Sequence, residues 1–206
     1  MSSRGKRRKA VRKPKQQRSQ STVAAIITAG ARILARKGWA GFTTNAVAAR
    51  AGVSIGSLYE YFRDKQALVD AIADAHIVQG EQLLELASGR PSRPQRARDL
   101  IDMLVEAAIA LHADDPDLHR VLSSEVPLSP QIRQRVVRLR SGLVDLVAGS
   151  LRGKVEEPRV VSQLLVDVTD SLVHRWWVED IGRSGDPRRL AEELKEMLGA
   201  YLDRRC

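Results

Sequence analysis

The feature that most restricts the fold is Ala51-Gly52-Val53-Ser54, set between two short apolar periods. Before it, Val47, Ala48 and Ala51 mark one face of a helix; after it, Ile55, Leu58, Tyr59 and Phe62 recur at i, i+3, i+4 and i+7. Glycine takes the left-handed conformation that ends a helix, valine plugs the gap between two axes, and serine caps the next helix by accepting from its free N–H groups. Two short helices joined in this way, followed by a third near Lys65, make a helix-turn-helix, whose second helix lies in the DNA major groove.

The residues off the buried face at the start of that second helix are Ser54, Ile55, Gly56 and Ser57, the ones that would enter a groove. Ser57 can hydrogen-bond a base edge or a phosphate, Ile55 can meet a thymine methyl, and Gly56 lets the backbone come close. The plainer reading of Gly56 is a weak spot in a short helix, at a cost of roughly 1 kcal/mol relative to alanine. Thr44 stands at a helix N-terminus, where anions bind readily, and Lys65 opens the following helix. Tyr59 shares the spacing of Leu58 and Phe62, so it reads either as core or as a ring that packs while its hydroxyl points at DNA.

Taken together, Thr43-Thr44, Val47-Ala48, Ala51-Gly52-Val53-Ser54, Gly56-Ser57-Leu58-Tyr59, Tyr61-Phe62, Lys65 and Leu68 resemble the DNA-binding domain of the tetracycline-repressor (TetR) family of bacterial transcription regulators. The four residues at the turn alone would be weak evidence, but the later pairs and the lysine stand at the family's spacing. The resemblance is detailed over about residues 19–72 and beyond them extends only to helix number and order. It implies DNA contact for Thr43, Thr44, Ser54, Ile55, Gly56, Ser57, Tyr59, Tyr61 and Lys65, with Thr44, Tyr59, Tyr61 and Lys65 on phosphates. It also implies a homodimer on a palindromic double-stranded operator, released by a small-molecule effector. Arg63 departs from the pattern, where many relatives carry proline; the expectation is an unchanged fold and an added phosphate contact.

Charge divides the chain. Of the net +9, all belongs to residues 1–18, which carry nine Lys or Arg and no acid, leaving 25 basic and 25 acidic residues beyond. With no apolar periodicity, this tail reads as a disordered arm that neutralises phosphates beside the main contact surface. The basic start followed by Val23-Ala24-Ala25-Ile26-Ile27 imitates a secretory signal. Thr28 and Arg32 interrupt it and the period continues to Ile33 and Leu34, so the segment reads as a first helix over Ser19–Lys37, stopped by Gly38. Trp39 and Phe42 then read as core without a role in recognition. A single cysteine, Cys206, and no apolar run near the roughly 20 residues that span a bilayer suit a cytoplasmic protein with no membrane partner.

The remaining periods predict an all-α chain of about nine helices: an N-terminal three-helix domain (19–72) and a larger effector-binding and dimerisation domain (73–206). A fourth helix runs from an Asp64 cap to about Ser88, with Leu68, Ile72, Ala75, Gln79, Leu83 and Leu86 on its face. It is the only long element shared by both parts, and the expectation is that the effector acts through it. After a break at Arg90-Pro91-Ser92-Arg93-Pro94 come a fifth helix over Leu100–Leu111 and a short sixth from Pro116. A seventh follows with Ile132, Val136, Leu139, Leu143 and Leu146 as its stripe. The eighth, over Pro158–Ile181, is apolar almost all round, which demands burial on two sides, in its own core and against a partner subunit. A ninth opens at Asp186-Pro187.

No phosphate-cradling loop, nucleophile elbow or close carboxylate pair with an obvious electrophile occurs, so no catalytic residue, cofactor or metal is assigned and the chain is not read as an enzyme. The nearest thing to a metal constellation is Asp167, Asp170 and His174 at i, i+3 and i+7, read as a polar seam. His76, His112 and His119 read as packing or pocket residues. An effector pocket should be mainly apolar with a few polar groups, and Met103, His112, His174 and Trp176 are its candidates. Two rival classes are a sequence-nonspecific DNA-binding protein, whose binding would vanish in moderate salt, and a helical enzyme, which would tolerate changes at Ser57.

Overall fold

A computed structural model of the chain describes residues 17–89, 96–178 and 186–205, and every described regular element is helical. In order these are α1 (Gln17–Gly41), α2 (Thr44–Ala51), α3 (Ile55–Tyr61), α4 (Lys65–Ser88), α5 (Ala97–Ala113), α6 (Pro116–Ser124), α7 (Pro130–Leu151), α8 (Pro158–Trp177) and α9 (Pro187–Asp203). The chain forms two compact units, the first ending at Ile72 and the second starting at Ala73, so the boundary falls within α4. The basic tail up to Gln16, the Arg90–Pro94 break and the expected end of α8 at Ile181 lie outside the described residues.

The first unit packs α1 and α4 around the two short helices. Ile26 and Leu34 of α1, Val47 of α2, Leu58 of α3, and Leu68 and Ile72 of α4 are essentially inaccessible, with Phe42 fully buried between them. The segment that imitates a secretory signal lies within α1, where Ile26 is buried while Ala24 and Ala25 are exposed. Gly38 breaks α1 at φ 63° and ψ −175°, a conformation essentially confined to glycine, and this turns Trp39 and Phe42 inward to stack with centroids 5.9 Å apart. A second glycine, Gly52 at φ 69°, ends α2 and lets its N–H reach back to the carbonyls of Ala48 and Ala49.

In the second unit one core joins Leu100, Ile101, Leu104 and Val105 of α5 to Val144, Val147 and Leu151 of α7. Val161, Leu165, Val166 and Val173 of α8, and Ala191, Leu194, Leu198 and Leu202 of α9, complete it. Two expected faces are corrected. On α4 the buried residues after Ile72 are Ala73, Ile77 and Gly80, while Ala75, Gln79, Leu83 and Leu86 are exposed. On α7 the core takes Val144, Val147 and Leu151, leaving Val136 exposed. Both helices carry apolar residues on more than one face, and a repeat of 3.6 residues does not say which face the neighbours will cover. α8 buries one side in this core and leaves Val160 and Leu164 exposed on the other. No described helix is long and apolar enough to cross a membrane.

Candidate functional site

The surface built by α2 and α3 begins with three caps. Thr43 accepts from the N–H of Ala46 (3.2 Å), Ser54 from Ser57 (3.0 Å) and Asp64 from Ala67 (2.7 Å), so α2, α3 and α4 each start on a side-chain oxygen in place of the missing turn. Thr43 and Ser54 therefore have structural work whatever else they touch. The Ser54 and Ser57 hydroxyls are 2.9 Å apart, and one proton of that pair remains free to point outward. Ile55 is 39 % exposed, an unusual place for a branched aliphatic side chain at a helix start. A methyl group at Gly56 would meet only the Ser54 hydroxyl, at 3.7 Å, so packing inside the chain does not demand glycine there.

Tyr59 is 46 % exposed, which resolves its two readings against the core. Its hydroxyl shares a hydrogen bond with Thr44 Oγ1 at 3.1 Å, clamping the third helix to the first turn of α2. Tyr61 donates to Ser19 Oγ at 3.3 Å, which ties the end of α3 to α1. Lys65 Nζ lies 3.5 Å above the centre of the Trp39 ring and donates to the Trp39 carbonyl at 3.4 Å. Loss of water around the ammonium lowers its pKa. Trp39, read from the sequence as plain core, is therefore the residue that aims Lys65. Its signal was the kink at Gly38, which fixes where the ring points. Arg63 forms an exposed ion pair with Asp64 at 3.1 Å.

The four effector candidates separate into two pairs. Met103 and Trp176 are half-buried against the core of the second unit. His112, 2 % exposed, and His174 instead meet, with ring centroids 5.5 Å apart, and His119 of α6 joins them at 4.5 and 5.2 Å. His76 of α4 completes the group through a 3.0 Å contact from its Nε2 to His119 Nδ1. All four histidines of the chain are thus in one cluster. The stripe along α8 does not act as a unit: Asp167 is held by Arg140 and Gln163, whereas Asp170 lies 3.6 Å from His112 Nε2. An open groove of about 380 Å³, lined by Glu81, Leu84, Glu85, Ser88, Arg138 and Leu139, contains none of the candidates.

Burial dominates the chemistry of this cluster. It pushes His76 down, against the pull of Asp115 and Asp114. It also lowers His112, whose Nδ1 is 2.7 Å from the Ala108 carbonyl and whose other side faces Asp170. Burial and then the neighbouring imidazoles take His119 to about 3. These three rings are therefore neutral at pH 7. A neutral His112 that donates its Nδ1 proton to Ala108 leaves a bare Nε2 lone pair on the ring's other side, where Asp170 lies 3.6 Å away.

Two family models match the chain: bacterial regulatory proteins of the tetR family over residues 26–72, and the tetracyclin repressor-like C-terminal domain over residues 98–202. The HTH-type transcriptional regulator UidR of Escherichia coli is 25 % identical over 199 residues, covering 91 % of this chain and 96 % of its own. Among solved structures, NalD, the secondary repressor of the MexAB-OprM multidrug efflux pump in Pseudomonas aeruginosa, superposes with a TM-score of 0.65 at 23 % identity. That likeness covers 89 % of this chain and 96 % of NalD. FadR from Bacillus subtilis in complex with stearoyl-CoA gives 0.63 at 22 %, covering 85 % and 96 %. The two structural likenesses speak for the fold. With both family models matched along most of its length, the chain belongs to the TetR family of bacterial transcriptional regulators.

Proposed function

We propose that the protein is a homodimeric repressor that holds a palindromic operator through two copies of α3 and releases it when a small molecule binds the second unit. The observation that carries the DNA half of this reading is the exposed start of α3. There Ser57, Ile55 and the unencumbered Gly56 stand clear of the core, and Thr44, Tyr59 and Lys65 surround them with polar groups suited to phosphates. The dimer is supported by Val160 (62 % exposed) and Leu164 (44 %) on α8 and Met197 (53 %) on α9, large apolar side chains that a second copy would cover. Among the relatives, NalD is a repressor and FadR was solved with stearoyl-CoA, which favours release by a ligand with substantial apolar surface. The relay in this reading is α4, whose first turns belong to the DNA-reading unit and whose later turns belong to the other. The basic tail adds phosphate contacts, and the protein acts in the cytoplasm.

Selection of bound sites from random duplex DNA tests the proposal. A recovered inverted repeat, with half-sites about 34–36 Å apart or a multiple of that, is the expected result. Retention of DNA without sequence preference, lost between about 50 and 200 mM salt, would favour a nonspecific binder instead.

A further inference from the structure

We propose that His112, His119 and His174 form a three-histidine site for a divalent transition-metal ion of zinc's class, with Asp170 beside it and His76 behind His119. The proposal needs only the fold of the second unit and stands whether or not the ion is the regulatory signal.

Convergence is the first argument. The chain has four histidines, placed on α4, α5, α6 and α8 and separated by up to 98 positions, yet one ring nitrogen from each of three lies within 4.8 Å of the others. A tetrahedral ion at about 2.0–2.1 Å from each nitrogen sets them about 3.3–3.4 Å apart. Small ring rotations close that difference. Ordinary core packing gains nothing from replacing aliphatic side chains with four imidazoles, each of which must find hydrogen-bond partners away from water.

The surroundings supply what such ligands need. Metal-bound histidines hold their other ring N–H on a carbonyl, carboxylate or similar acceptor, which sets tautomer and orientation. His112 has that arrangement on the Ala108 carbonyl. His119 has it when its Nδ1 proton is donated to His76 Nε2, 3.0 Å away, leaving the opposite nitrogen of His119 to ligate. Asp170 then makes sense as well. Its carboxylate, 3.6 Å from His112 Nε2, faces a lone pair, and a cation between or beside them converts that repulsion into attraction. Asp114 and Asp115 add negative charge near His76, while Arg140, a cation that senses Asp170, is already held by Asp167. Imidazole nitrogens suit zinc, cobalt, nickel and copper; magnesium and calcium prefer oxygen.

The full chain, purified without a polyhistidine tag and stripped with EDTA, is titrated with Co²⁺ and Zn²⁺ while visible ligand-field absorption and heat are recorded. The proposal expects one ion per chain, a four-coordinate cobalt spectrum displaced by Zn²⁺, and no competition from Mg²⁺. His119→Gln and His174→Gln, both at half-buried positions, should each weaken binding more than about a hundredfold. His76→Gln should cost about 10- to 100-fold, the range for an outer partner. Circular dichroism checks that the variants fold. Should they not, histidine ring NMR signals of the unaltered chain give the answer, because zinc must shift those of His112, His119 and His174. Failure to take up one ion, uptake indifferent to both glutamine variants, or ring signals unmoved by zinc would each overturn the assignment.

Discussion

The surface of the first unit proposed to face DNA is assembled between Thr43 and Lys65, where neighbours in sequence are neighbours in space. The histidine cluster of the second unit draws one residue from each of four helices. The difference is physical. A surface that meets a groove needs only a short helix presented at the right angle, which caps and one left-handed glycine supply locally. A site that encloses a small ligand or an ion needs donors from several directions, so its residues come from wherever tertiary packing brings helices together. The first kind of site should therefore fail through backbone and cap changes, and the second through loss of packing or of charge balance.

The largest expected effect isolates the core beneath the reading surface. Phe42→Ala removes a fully buried ring that stacks on Trp39 and should destabilise the first unit by about 3–5 kcal/mol. Hydrogen exchange followed unit by unit should show protection lost in α1–α3 and kept in α5, α8 and α9. Equal losses in both units would break the comparison. Gly52→Ala comes next. Nothing lies within 4 Å of the added methyl, so its cost is conformational alone, about 1–2 kcal/mol for a left-handed residue. Denaturant midpoints measure it, and a neutral result would mean that the turn is not held at this geometry in solution.

Acid should distinguish the units in the opposite direction. The first contains no histidine, whereas His119 in the second binds its proton only near pH 3 when folded and near 6.5 when unfolded. Between those values the unfolded chain carries more protons, so stability rises with pH in that window. The contribution is fully present above pH 6.5 and is lost as the pH falls toward 3. Metal-free protein should accordingly lose the second unit's protection first on acidification, and His119→Gln should flatten that slope.

Much of the first unit was legible because its signals are local. Gly52, Ser54 and Asp64 do what a turn glycine and capping side chains do anywhere. What stayed hidden there depended on contact across helices: Tyr59 held by Thr44, and Lys65 aimed by Trp39. In the second unit the helices themselves were readable from period and proline, but the buried faces of α4 and α7 were not, since both carry more apolar residues than one core can use. The histidine cluster escaped because a search along one helix, through Asp167, Asp170 and His174, cannot find partners 55 to 62 positions away. One compositional signal was present: every histidine lies after Ile72.

The central claim is that α3 reads bases while the residues around it hold phosphates, and two surface variants test it most directly. Ser57→Ala and Lys65→Ala are each profiled over a library of single-base variants of the selected site. Lys65→Ala should weaken every member alike and reduce the slope of log affinity against log salt by about 1. Ser57→Ala should leave that slope alone and change preference at particular positions, by about 1–3 kcal/mol at most. Profiles that shift identically for the two variants, with the same salt slope, would contradict the account.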